Sequence, residues 1–285
     1  MERSLPPLPG CVNAPRSKGG GGLSLAAGVF ARSFLLRQLV RRDFQSRYVG
    51  SALGFAWSFV QPLWQLVLFS FVFSLVLRVP MTGQPTQRFW VFLFSGLLPW
   101  LAIQEGLMRG STAVTDNAGM VKKLRFPSEV LVLTVALSAL LHQAIAGVVF
   151  VALLAALGEL SWQGLPWLLL ALPLQLALTV GLGLLFAAVQ VFVRDLAQLL
   201  SLVLSAWFYL TPIVYPPAMI PEPYRSWIDL NPLSGLVELY RRALLGAKPA
   251  EGGAGITILA LAAVGSLALG WWAFHRLRGS FVDEI

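Results

Sequence analysis

Charge, cysteine and histidine are all scarce in this chain, and each shortage removes a class of function. Asp, Glu, Lys and Arg make up 12% of the 285 residues, where ordinary soluble domains carry about 25%. A single cysteine, Cys11, excludes a disulfide framework within the chain. His142 and His275 lie far from each other and from Cys11, so no metal-ligand spacing is present. No phosphate-loop pattern ending in Gly-Lys-Ser/Thr occurs, so the chain is not expected to hydrolyse ATP. A membrane-embedded transferase is the enzyme class left to consider. It needs an acidic or histidine cluster, and Asp43, Glu105 and Asp195 are too scattered to suggest one. A cleavable signal peptide is also lacking. Residues 1–28 have no continuous apolar core and include Gly19–Gly22, so they are expected to form a flexible tail.

Apolar length is what the chain has in excess. Hydrophobic residues make up 57% of it. They gather in six uncharged stretches: Tyr48–Leu77, Phe89–Ile103, Val130–Gly158, Leu160–Val193, Leu196–Pro221 and Gly252–His275. A helix needs roughly 20 apolar residues to cross a bilayer. Five stretches exceed that, and the second reaches it if Glu105 sits at the water boundary. The expected fold is therefore an all-α integral membrane protein with six transmembrane helices. No room remains for a water-soluble domain, which must come from another chain if the function needs one.

The net charge of +8 is distributed in a way that argues against nucleic acid. Eight of the 21 basic residues precede residue 48, Lys122, Lys123 and Arg125 form a second group, and Arg276 and Arg278 follow the last stretch. Six spans put all three groups on one side, and the positive-inside rule makes that side cytoplasmic, with both termini. On the other side Arg225, Arg241, Arg242 and Lys248 are nearly balanced by Glu222, Asp229, Glu238 and Glu251.

Between the spans, three segments stand out. Residues 29–47 mix Phe, Leu and Val with five arginines, a pattern for a helix lying in the membrane interface, although Arg32 interrupts its apolar side. In residues 110–129, Thr115 or Asp116 suits the start of a short helix over Asn117–Leu124, which Pro127 should end. Glu105 and Arg109, four apart, share a helix face just before it, either as a boundary ion pair or as a contact to another helix. In the third segment, Pro212, Pro216 and Pro217 break the fifth stretch, and an amphipathic run Leu233–Leu245 follows. Nonhelical backbone at membrane depth needs shelter in protein or a water-lined cavity, so short re-entrant or interfacial helices are expected there.

These features occur together with a set of short motifs. They are Arg47-Tyr48-Val49-Gly50-Ser51-Ala52-Leu53-Gly54 with Trp57 and Pro62-Leu63; Gly96-Leu97-Leu98-Pro99-Trp100; Asn117 through Phe126-Pro127-Ser128-Glu129; Val193-Arg194-Asp195; Thr211-Pro212-Ile213 with Tyr215; and Asn231-Pro232-Leu233. In order and spacing the chain resembles the membrane subunits of ABC-2 type exporters, and most of all those that export O-antigen, capsule or teichoic acid. The resemblance covers roughly residues 30–285.

The residues divide the chain into a tail 1–28, which departs from the family pattern, an interface helix 29–47 and a transmembrane domain 48–285, and the resemblance supports the interface helix and adds external gate helices between spans five and six. It implies a homodimer joined to two copies of a cytoplasmic ABC ATPase, which would hold the ATP and Mg, this chain binding no cofactor. The cargo implied is a lipid-linked polysaccharide, in an inner membrane. An exporter of small hydrophobic compounds would share the architecture. A coupling helix to the ATPase falls on Asn117, Met120, Val121, Lys122, Lys123 and Arg125. Trp57, Trp207, Phe208, Tyr209 and Tyr215 fall on the path and gate, where aromatic rings either line a sugar route or form an interfacial belt. Arg37, Arg41, Arg42 and Arg47 face either the cargo's diphosphate headgroup or the anionic leaflet, the latter at about 1 kcal/mol per residue.

Overall fold

A computed structural model describes residues 36–45, 54–81, 83–123, 127–248 and 254–284. The side chains at 55, 58, 59, 61, 62, 123, 282 and 283 are excluded. The chain divides into two units, Met1–Gln38 and Leu39–Ile285. Of the first, the described part is residues 36–38, which begin a helix, α1, over 36–45. The expected tail 1–28, Arg47 and Arg125 lie outside the described residues.

Every described regular element in the second unit is helical. A 3-10 turn, Gly54–Ala56, leads into α2 (Trp57–Ser70), which continues as π-helix over Phe71–Val76. Then come α3 (Phe89–Asp116), the short α4 (Ala118–Lys123), α5 (Glu129–Ala156) and α6 (Leu168–Gln190). The series ends with α7 (Leu196–Leu210), α8 (Glu222–Asp229), α9 (Pro232–Leu245), α10 (Ala254–Leu277) and a last turn, α11 (Phe281–Glu284).

Among the described residues four helices are long and apolar enough to cross a membrane: Phe89–Asp116, Glu129–Ala156, Leu165–Gln190 and Ala254–Ser280. The apolar helices Leu63–Val76 and Leu196–Leu210 are shorter. The protein is therefore an all-α multi-pass membrane protein. The second helix runs on through Glu105 and Arg109, which share its face and find polar partners there, as far as Asp116. The fifth stretch stops being helix at Leu210, just before the prolines expected to break it. Thr211 is extended, and Pro212 cannot donate to the preceding turn.

The helix α3 is central, with Phe92, Leu93, Leu97, Ile103 and Leu107 fully enclosed. Lipid tails are as apolar as leucine, so helices in a bilayer associate by close packing rather than by escape from water. The crossing of α6 and α10 shows this. A Cβ on Gly270 would strike the carbonyl of Gly181, so only glycine permits that approach. Two buried clusters fill the bundle. One joins Val114, Leu131, Ala188, Val191, Phe274 and Phe281 near α4. The other joins Phe92, Phe150, Leu204, Ile213, Leu236 and Tyr240 near α9.

Candidate functional site

At the α9 end, the chain leaves α7 as nonhelical backbone and returns through α8 into α9. Asn231 starts α9 as its N-cap, its side-chain oxygen accepting from Leu233 N–H at 3.0 Å, with Pro232 in the first turn. The same oxygen accepts from Trp207 Nε1 at 2.9 Å. The Asn231 amide donates back to Thr211 Oγ1 at 2.9 Å and to the Leu210 carbonyl at 3.3 Å. One asparagine thus fastens the end of α7 to the start of α9.

Ten residues along α9, Arg241 is buried, with 5% of its surface exposed. It donates from Nη1 to the Pro212 carbonyl at 2.8 Å and from Nη2 to the Ile213 carbonyl at 3.1 Å. Its guanidinium lies 3.6 Å from the centre of the Phe92 ring on α3. Arg241, counted in the sequence among the nearly balanced charges of one side, is thus held by protein groups rather than left to water. The sequence shows only an amphipathic run with a cation in it, and the carbonyls that draw the cation inward are 28 and 29 residues away. Arg242, its neighbour, lies over the Trp167 ring at 3.7 Å.

The aromatic residues separate. Phe208, with 7% exposure, belongs to the core, stacked on Phe69 at 5.5 Å and tilted against Trp100 at 5.5 Å. Trp207 is committed to Asn231. Tyr209 is 58% exposed and Trp57 is 50% exposed. Tyr215 is half-buried, donates to the Tyr209 carbonyl at 2.8 Å, and burial pushes its phenol above the ordinary value. Tyr209 and Tyr215 are thus held together, while Phe208 sits in the bundle core and meets the Tyr209 ring edge to face at 5.1 Å.

A buried polar group lies deeper. Gln143 of α5 donates to Tyr240 Oη of α9 at 2.6 Å, Gln175 of α6 donates to Gln143 Oε1 at 2.6 Å, and Tyr240 donates to Gln175 Oε1 at 2.6 Å. Sequence offered no reason to pair these three residues, which lie 32 to 97 positions apart. The other end of α9 stops at Gly246, whose φ is +66°. The Gly158–Trp167 turn seals it: Ser161 N–H reaches the Leu244 carbonyl at 2.9 Å, and Gly164 presses on the Arg242 and Ala243 carbonyls.

At the opposite end, Asn117 breaks the chain between α3 and α4. Its amide donates to the Ala113 carbonyl at 2.9 Å, and its own carbonyl accepts from Met120 and Val121 N–H at 2.9 and 3.1 Å. The expected short helix is present as α4. Met120 and Val121 pack on the adjacent buried cluster, while Lys122 is exposed. The apolar side of α4 therefore serves its own bundle.

Near that end Asp43 of α1 binds Arg109 of α3 in a fork, at 2.5 and 3.1 Å. Arg109 also meets Glu105 at 3.4 Å, and Glu105 faces His142 Nδ1 at 3.5 Å. The i,i+4 pair was legible in the sequence, but its partner Asp43 was not. On α1, Arg37, Arg41 and Arg42 are exposed, while Leu39, Val40 and Phe44 are half-buried. Among the described residues no group of three or more His, Cys, Asp or Glu is disposed to hold a metal.

The arrangement defines a class first: a multi-pass helical membrane protein whose polar side chains brace helices to one another. The sequence of residues 35–245 matches the ABC-2 type transporter family. The chain belongs to that family, as a permease subunit of an ABC-type exporter, and its work is transport rather than catalysis. It is 33% identical over 265 residues to the O-antigen export system permease protein RfbA of Myxococcus xanthus, covering 88% of this chain and 95% of that protein. A protein of the same name from Klebsiella pneumoniae is 33% identical over 211 residues, 73% of this chain and 78% of that one. The polysialic acid transport protein KpsM of Escherichia coli is 24% identical over 253 residues, 88% of this chain and 96% of that protein.

Proposed function

We propose that this chain moves a lipid-linked polysaccharide, of O-antigen type, across a cytoplasmic membrane. It acts as a homodimer bound to two copies of an ABC ATPase, which hold the ATP and Mg. The single observation that carries the reading is the 33% identity to an O-antigen export permease along 95% of that protein's length.

In this reading the spans are α2 with its π-helical end, α3, α5, α6, α7 and α10. Both termini lie in the cytoplasm with the basic groups of the sequence. The arginines of α1 lie along the inner leaflet, where the lipid diphosphate arrives, and residues 29–47 form the interface helix. Residues 48–285 form the transmembrane domain, with 1–28 a tail outside it. The α4 turn docks on the ATPase through Asn117, Lys122, Lys123 and Arg125, while Met120 and Val121 carry its movement into the bundle. The helices α8 and α9 re-enter from the outer face as a gate. Trp57, Tyr209 and Tyr215 line the path, and Trp207 and Phe208 support it from behind.

Apolar ring faces with polar tips suit a passing sugar, because they touch its C–H surface without gripping it. ATP binding closes the paired ATPases, α4 shifts with them, and the helices around α3 open the path.

The test is transport by the purified permease–ATPase complex in vesicles, supplied with lipid-linked glycan from the source cells. ATP should drive glycan across, and Lys122→Ala with Lys123→Ala and Arg125→Ala should abolish substrate-stimulated hydrolysis while the dimer persists. Movement of a free lipid or a small hydrophobic compound in place of glycan would reassign the cargo.

A further inference from the structure

Backbone carbonyls at the broken end of a membrane helix need donors, since lipid offers none. At the end of α7 three of those carbonyls find their donors on one helix: Asn231 serves Leu210, and Arg241 serves Pro212 and Ile213. Asn231 also donates to the Thr211 hydroxyl, while the Thr211 carbonyl accepts from Ile213 N–H. Arg241 is an expensive way to satisfy two carbonyls, because burying a guanidinium forfeits its hydration. An uncharged donor such as Gln would serve at lower cost if filling space were the whole task.

The surroundings are shaped for the cation. It meets two carbonyl dipoles and a ring face, each attracting positive charge and each breakable without leaving an unpaired carboxylate, and Asp229 and Glu238 line the same cavity. Its Nε has no hydrogen-bond partner among the described residues. Gly96 of α3 leaves room for it: a Cβ there would stand 3.2 Å from Nη2. Helix α9 is also anchored at its far end by the Gly158–Trp167 turn.

We infer that Arg241 is a positioning residue, a releasable latch that holds the nonhelical 211–213 segment against α3 and thereby sets where Tyr209 and Tyr215 stand. It rests on the glycan path proposed above. Because the latch joins α7, α9 and α3, a shift of α3 passed up from α4 moves the Phe92 ring under the guanidinium and, through it, loads the two carbonyl bonds. Movement at the ATPase end thus reaches the tyrosines without a second signal.

The test uses the reconstituted permease–ATPase complex with two readouts: glycan moved per ATP hydrolysed, and hydrogen exchange of the 211–215 amides. Arg241→Met should lower the transport ratio about fivefold or more, with ATP turnover held within about twofold of the parent and exchange at 211–215 raised. Arg241→Lys, which keeps charge and one donor direction, should recover part of the ratio. Gly96→Ala presses on the guanidinium without removing it and should show the Arg241→Met pattern in weaker form. A parental ratio and parental exchange in both Gly96→Ala and Arg241→Lys overturn the latch, including the case where Arg241→Met fails to assemble. Equal loss of ATP turnover and transport in the variants overturns it as well, since that marks general damage. A parent complex that moves no glycan overturns the cargo assignment instead, and exchange at 211–215 then decides the latch by itself.

Discussion

At the scale of single residues, the polar contacts of this membrane protein are few and specific. The fork between Asp43 and Arg109 is the main ion pair joining α1 to the bundle, and Glu105 and His142 extend it to α5. Arg109 is 37% exposed and Asp43 16% exposed, so water screens part of the attraction. Asp43→Ala should cost about 1–2 kcal/mol, measured by thermal unfolding in detergent. The double variant with Arg109→Ala should cost less than the two single changes added together. Additive costs would mean that the fork contributes nothing of its own. Glu105 and Arg109 show how far sequence reading reaches. Helical spacing announces their pairing, but Asp43 stands 66 residues upstream of Arg109, and no local rule connects them. Arg241 shows the same limit, since its burial is dictated by a helix break elsewhere.

At the scale of elements, the sequence showed the proline break after Leu210 and the amphipathic run Leu233–Leu245, while the Asn231 cap that opens α9 and the Gly246 stop that closes it emerged with the structure. The π-helical end of α2 was not legible, because nothing in Phe71–Val76 is locally unable to form an ordinary α-helix. Nor was the choice of neighbours, which depends on close approach. The contact of α6 with α10 turns on Gly181 and Gly270, whereas Gly265 of the same helix has open space around it. Gly270→Ala should destabilise the protein by about 1–3 kcal/mol, the usual cost of overpacking, while Gly265→Ala should change stability by less than about 0.5 kcal/mol. Thermal unfolding of the two variants side by side checks this, and equal shifts would show that the crossing is loosely packed.

At the scale of the whole molecule, the four described helices long enough to cross a membrane, α3, α5, α6 and α10, and the shorter α2 and α7 each overlap one of the six apolar stretches, so hydropathy located these six. It could not say that α3 is central, because burial among helices and exposure to lipid favour the same residues. The proposed orientation makes a direct prediction. In a Cys11→Ser background, Lys122→Cys and Gly279→Cys should react with a membrane-impermeant maleimide only from the cytoplasmic side. Trp162→Cys and Trp227→Cys should react only from outside, and the reverse pattern would invert the proposed topology. The brevity of α7 carries a consequence of another kind. Its 15 residues rise about 22 Å, against a hydrocarbon layer of about 30 Å. With α7 crossing as proposed, the bilayer is pinched wherever the exposed Leu199, Leu202 and Val203 meet acyl chains. That deformation costs fractions of a kcal/mol per Å, so short-tailed, thin membranes are the cheapest home for this permease.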